Sequence, residues 1–147
     1  MPYERTPSLL SKGERAFWFP LYYAVRGRYR IFCKVRLADV IRCPPNRPDE
    51  RKWFKRVKGY HVDFVLCDPQ STRPLLVLEL DDRSHRSDRA KDRDAFKDAA
   101  LRAAGVPLFR VNAQQAYAPD ELRSVIDSLL RPQPSSPAPP PMPPAPP

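Results

Sequence analysis

Val77-Leu78-Glu79-Leu80-Asp81-Asp82-Arg83-Ser84-His85 is the stretch on which the fold turns. An apolar strand, Leu75 to Leu80, runs directly into carboxylates and a histidine. A strand buried on both faces normally stays apolar along its length. Glu79 interrupts that run, and a charge buried alone needs a cation, a proton or a metal. His61-Val62-Asp63-Phe64-Val65-Leu66-Cys67 has the same peculiarity, with Asp63 inside an apolar run. Alternation puts Asp63, Val65 and Cys67 on one face, and Val77, Glu79 and Asp81 on one face. If the two strands pair as a hairpin, Asp63, Glu79 and Asp81 gather at one place.

Working outward, Ser11-Lys12-Gly13-Glu14 fits a capping box that opens a helix from about Ser11 to Val25. Leu10, Phe17, Trp18, Leu21 and Val25 form its apolar stripe, and Glu14 falls within that stripe. Glu14 therefore either caps only or points toward the acidic strands. Pro20 is expected to kink or split the helix. Tyr29 to Val35 alternates as a strand, and Arg36 to Ile41 reads as a short turn or helix. Cys43-Pro44-Pro45-Asn46-Arg47-Pro48 is loop. Lys52, Trp53, Lys55 and Arg56 then interleave bases with an aromatic ring, which suits phosphate contact and base stacking. A solvated helix face with Trp53 or Phe54 tucked into the core is an equal alternative.

After His85 a helix from about Asp88 to Ala104 is stopped by Gly105. Phe96, Ala99, Ala100, Ala103 and Ala104 are expected to be its apolar arc. Arg89, Arg93 and Lys97 recur every four residues and form a basic column beside it. Val106 to Val111 reads as a strand, so a strand–helix–strand unit implies a parallel crossover. Pro119 to Leu130 is a last amphipathic helix, with Asp120 and Glu121 in its first turn. From Pro132 the chain is almost only Pro, Ala and Ser. The expected division is a folded domain over 1–131 and a disordered Pro-rich tail over 132–147. That tail is read as passive, with P-x-x-P docking to a protein partner as the alternative.

The 147 residues suffice for one domain with a real core. A formal charge of +9 favours a polyanionic partner. No apolar run is long enough to span a membrane and no signal-peptide core opens the chain, so the expectation is a soluble cytoplasmic protein. Cys33, Cys43 and Cys67 lack C-x-x-C spacing and read as reduced packing residues.

The order helix, three strands, helix, strand, helix, with Asp63 and then Glu79, resembles the PD-(D/E)XK, restriction-endonuclease-like superfamily. Within it the chain is similar to an uncharacterised bacterial domain-of-unknown-function family related to very-short-patch-repair-like endonucleases. The residues carrying the resemblance are Leu10-Ser11-x-x-Glu14, His61-Val62-Asp63-Phe64, Glu79-Leu80-Asp81-Asp82-x-x-His85, and Arg93-Asp94-x-x-Lys97-x-x-x-Leu101-x-x-x-Gly105-x-Pro107-x-x-Arg110. They span roughly Leu9 to Val111. Val62 stands where the superfamily motif has proline, and Asp81 where it has lysine.

The resemblance implies an α/β fold with an αβββαβ core and a mixed sheet. It implies a Mg²⁺-dependent nuclease, Mn²⁺ being possible, that hydrolyses phosphodiester bonds of nucleic acid, in the first place DNA. Asp63 and Glu79 would hold the metal, with Asp81 and Glu14 assisting. Lys97, or Arg93 as fallback, would replace the absent lysine. His85 would be a general acid or base, because imidazole titrates near neutrality. Nucleic acid would be bound through Lys52, Trp53, Lys55, Arg56, Arg89 and Arg93. The alternative is a catalytically inactive DNA-binding module on the same fold.

Overall fold

The computed structural model describes residues 1–81, 88–112 and 116–131, without the side chains of 88–90. Element order is α1 (Lys12–Val25), β1 (Arg30–Arg36), α2 (Leu37–Val40), α3 (Glu50–Val57), β2 (His61–Cys67), β3 (Pro74–Asp81), α4 (Asp88–Ala103), β4 (Leu108–Asn112) and α5 (Pro119–Leu130). One four-stranded mixed sheet has the order β1-β2-β3-β4. The first three strands form an antiparallel meander, and β4 returns parallel to β3 after α4. The α/β class and the parallel strand–helix–strand unit are as the pattern implied. The segment 132–147 lies outside the described residues.

Ser11 and Glu14 form the reciprocal capping box at the start of α1. The helix runs on through Pro20 and is not split there. Proline removes the N–H that the Ala16 carbonyl would receive, but Ala16 is exposed and water can take its place. Phe17, Leu21, Ala24 and Val25 of α1, with Leu122 and Ile126 of α5, pack on Phe64, Leu66, Leu76 and Leu78 of the sheet. Phe64 is fully buried, and its ring meets Phe17 at 5.6 Å. Burying such a side chain contributes about 1.5–3 kcal/mol. The opposite face packs Val65, Cys67 and Val77 against Leu37 and Leu101.

Helix α4 does not bury the arc its alanines suggested. Ala99, Ala103 and Ala104 are exposed, while Leu101 is buried and Asp94, Lys97 and Asp98 are half-buried. Positions 94, 97, 98 and 101 follow i, i+3, i+4 and i+7, so a mostly charged face meets the sheet. The cause lies in the sheet: Glu79 and Arg110 are there and need counter-charges. The alanine arc instead lines a groove of about 800 Å³ with Ile41, Trp53 and Val57. Gly105, at φ +69°, ends the helix as expected.

Cys33, Cys43 and Cys67 are all free thiols. Among the described residues no helix is long and apolar enough to cross a membrane.

Candidate functional site

Strands β1 and β2 pair at Cys33 with Phe64 and at Val35 with Val62. Cys33 and Phe64 belong to the core under α1, but Val35 and Val62 belong to the core on the other face. Both strands therefore change the face they bury at Lys34 and Asp63. Lys34 has φ +56°, a left-handed backbone that is strained for a non-glycine residue. Simple alternation, which put Asp63 on a face with Val65 and Cys67, fails at this break.

The break places Asp63 between strands. The β2–β3 register is last defined at Phe64 opposite Leu78. Beyond it, Asp63 Oδ2 accepts the Leu80 backbone N–H at 2.9 Å. A side chain thus satisfies an amide past the end of the ladder, as a half-buried strand requires. Glu79 and Asp81 are each only 5% exposed. The start of α1 lies on the same strand end: a Cβ on Gly13 would sit 3.7 Å from Leu80 Cδ2.

Glu14 has both of the roles its position suggested. One carboxylate oxygen accepts the Ser11 N–H at 2.7 Å, and the other receives the Lys34 ammonium at 2.5 Å. Burial opposes its ionisation, but the Lys34 and Ser11 hydrogen bonds outweigh that and hold its pKa below the ordinary value. Asp63 shifts the other way. Burial pushes its pKa up, the Leu80 amide opposes this, and the nearby Glu79 and Glu14 carboxylates add to the rise. Asp63 therefore senses both of the other carboxylates.

Glu79 lies between two cations. Lys97 Nζ is on Glu79 Oε1, and Arg110 donates to Oε2 at 3.1 Å. Lys97 is 13% exposed and also lies 3.5 Å from Asp94. Arg110 is anchored to Asp98 at 2.6 Å. The basic column divides: Lys97 enters the acidic strand end, while Arg93 lies over the Tyr60 ring at 5.7 Å. The side chain of Arg89 and the whole of Asp82 and His85 lie outside the described residues.

The α3 cations also divide. Arg56 lies over both Trp53 and Phe96, at 5.0 and 4.6 Å, and Trp53 Nε1 donates to Asp49. Trp53 and Arg56 thus help pack α3 on α4, while Lys52 and Lys55 are exposed. Sequence reasoning assigned no role to Lys34 or Arg110. Arg110 had a signal, as the charged residue inside an apolar strand, the mirror of Glu79. Lys34 looked like any other polar position of an alternating strand.

Among the described residues no group of three or more His, Cys, Asp or Glu is arranged to hold a metal ion. The donor chemistry nonetheless fits a hard cation. The carboxylates offer oxygens alone, and a dication would offset both the burial that chiefly raises the Asp63 pKa and the repulsion that adds to it.

The two shifts carry opposite stability effects. Raised in the folded state, the Asp63 contribution is full below its unfolded pKa and is lost as pH rises through the folded value. Asp63→Asn keeps an acceptor for Leu80 and is expected to stabilise the fold at pH 7. Lowered in the folded state, the Glu14 contribution is present above its unfolded pKa and is lost as pH falls through the folded value. Glu14→Gln is expected to destabilise at pH 7. Both differences should fade below about pH 4, near the ordinary carboxylate values. Urea unfolding across this range checks the pair, and an Asp63→Asn protein less stable than wild type at pH 7 would contradict the account of that group.

The family described as "Protein of unknown function (DUF2726)" matches residues 6–129. The chain is 29% identical over 125 residues to the uncharacterized protein y4bI of Sinorhizobium fredii, covering 83% of this chain and 86% of that protein. It is 29% identical over 127 residues to an uncharacterized protein of Haemophilus influenzae, covering 86% of this chain and 56% of that one. No solved structure matches.

Proposed function

The chain belongs to the DUF2726 family, and for it we propose Mg²⁺-dependent hydrolysis of phosphodiester bonds in nucleic acid, DNA in the first place, on a restriction-endonuclease-like core. The observation that carries the proposal is Asp63: a half-buried carboxylate at a break in two strands, pushed toward protonation by burial, with Glu79 and Glu14 adding to it. The ordered motif set from Ser11 to Arg110 supports the same reading, as do the αβββαβ order and the mixed sheet.

Asp63 and Glu79 would hold Mg²⁺, or Mn²⁺, with Glu14 and Asp81 supporting them. Two protein carboxylates suffice, because Mg²⁺ keeps several waters and is commonly held by one or two. When bound, the dication supplies Lewis-acid charge and a more acidic water. Lys97 orients Glu79 through its ion pair with Oε1, and its ammonium is the cation to face a phosphate oxygen. Arg110 holds the other Glu79 oxygen and is itself fixed by Asp98. His85 is retained as the candidate general acid or base.

A second reading has its own observation. Lys97 and Arg110 already neutralise Glu79, as in a fold kept for binding and not for cleavage. Plasmid and oligonucleotide cleavage with Mg²⁺ or Mn²⁺ separates the two. Cleavage by wild type supports the nuclease. Its absence across both metals and both substrates supports the binding module.

Lys97→Ala is expected to lower single-turnover cleavage by about 10²-fold, as loss of one transition-state donor typically does, with little change in metal affinity. Arg93→Ala, whose guanidinium lies over the Tyr60 ring, should cleave nearly as wild type. If Lys97→Ala cleaves normally, the cation is supplied by another residue, with Lys34 the first to test.

A further inference from the structure

Helix α1 has a second face. At 3.6 residues per turn Lys12, Arg15, Phe19, Tyr22, Tyr23 and the C-capping Arg26 fall within about 100° of arc, opposite Glu14 and Phe17. All six are exposed, and the rings strongly so: Phe19 65%, Tyr23 52% and Tyr22 41%. A large ring left in water gives up the stabilisation of burial, so three on one helix face ask for a partner. Tyr22 packs edge-on against Trp18 and Tyr23, at 5.4 and 5.5 Å, which presents the rings as a preformed group. Among the described residues Lys12, Arg15 and Arg26 enter no ion pair, and that face of α1 carries no acidic residue.

We propose that this face of α1 binds single-stranded nucleic acid, with Phe19, Tyr22 and Tyr23 stacking on unpaired bases and Lys12, Arg15 and Arg26 on the phosphates. Charge selects the partner: three free cations on a chain of formal charge +9 complement a polyanion. Interleaved rings select unpaired bases, since a base inside a duplex has no free face to stack on. The α3 cluster competes poorly, because Trp53 and Arg56 are occupied by each other and by Phe96. The inference rests on the nuclease reading for its choice of nucleic acid and deepens it: the same helix that brings Glu14 to the acidic site would hold a single-stranded region of the substrate.

The test is fluorescence anisotropy of labelled single-stranded and duplex oligonucleotides of equal length, in EDTA so that nothing is cut. Wild type should bind the single strand more tightly. Phe19→Ala, Tyr22→Ala and Tyr23→Ala should each weaken single-strand binding by about fivefold or more and duplex binding far less. Combined Lys12→Gln, Arg15→Gln and Arg26→Gln should weaken it and reduce the salt slope by about 2, near 0.7 for each phosphate no longer neutralised. Neutralising Lys52 and Lys55 should do much less. Circular dichroism and thermal melts establish that each variant is folded, and the charge set tests the face independently of the rings. Wild type that binds no oligonucleotide, or ring variants that bind the single strand as wild type does, would overturn the proposal. So would loss of binding to phosphatidylserine vesicles with oligonucleotide binding unchanged, which would assign the face to a membrane surface. Cleavage separates the two claims. Binding through α1 without metal-dependent cutting refutes the nuclease alone, and Asp63-dependent cutting with ring-independent binding refutes the α1 face alone.

Discussion

Asp63→Ala is expected to lower metal-dependent cleavage by about 10³-fold, the upper end of what loss of a single charge-stabilising group costs. The loss should be chemical, not structural. In the folded protein the ionised carboxylate is disfavoured by burial and further by Glu79 and Glu14, so removing it relieves a repulsion. What is lost is one acceptor for the Leu80 amide, and leaving such a donor unmet costs about 1–3 kcal/mol. The two changes oppose each other, and the variant should remain folded. Cleavage kinetics beside a thermal melt check this. An inactive variant that is also unfolded would assign Asp63 to the scaffold, and an active one would remove it from the site.

Glu79→Ala should cost metal-dependent cleavage as Asp63→Ala does, and unlike it should also cost stability. Its carboxylate is shared by Lys97 and Arg110, both largely buried. Removing the shared anion leaves Lys97 with the longer Asp94 contact and Arg110 with Asp98, two cations with less counter-charge in a poorly hydrated place. Breaking one side of such an arrangement costs about 3–5 kcal/mol. For a chain of this size that is a fall in melting temperature of roughly 10–15 °C. Combining Glu79→Leu with Lys97→Met should recover much of the loss, because no unpaired ammonium then remains beside the strand. A Glu79→Ala protein within about 1 kcal/mol of wild type, the range of an exposed pair, would show that the network is solvated.

The strands and helices were legible because their apolar periods are clean. The Asp63 and Glu79 runs became the central β2 and β3, and the Ser11 capping box opened α1 where it stood. The interruption of β3 by Glu79 pointed toward counter-charges, and Lys97 on the following helix supplies one. Three features were illegible for physical reasons. The face switch at Lys34 and Asp63 depends on a left-handed backbone at a lysine, which no local residue preference announces. The orientation of α4 was misjudged because an alanine arc looks like a packing face, yet the charges on β3 and β4 decide which side turns inward. The aromatic face of α1 was illegible because its exposed rings are interleaved with charges and add nothing to the core-facing stripe that marks the helix.

The claim that Asp63 and Glu79 form a dication site is tested most directly by Mn²⁺ binding, followed by electron paramagnetic resonance of the free ion in the absence of nucleic acid. The account predicts saturable binding by wild type, lost in Asp63→Ala and retained in Lys97→Ala. Wild type that leaves Mn²⁺ free at millimolar concentrations, or binding that survives Asp63→Ala unchanged, would contradict it.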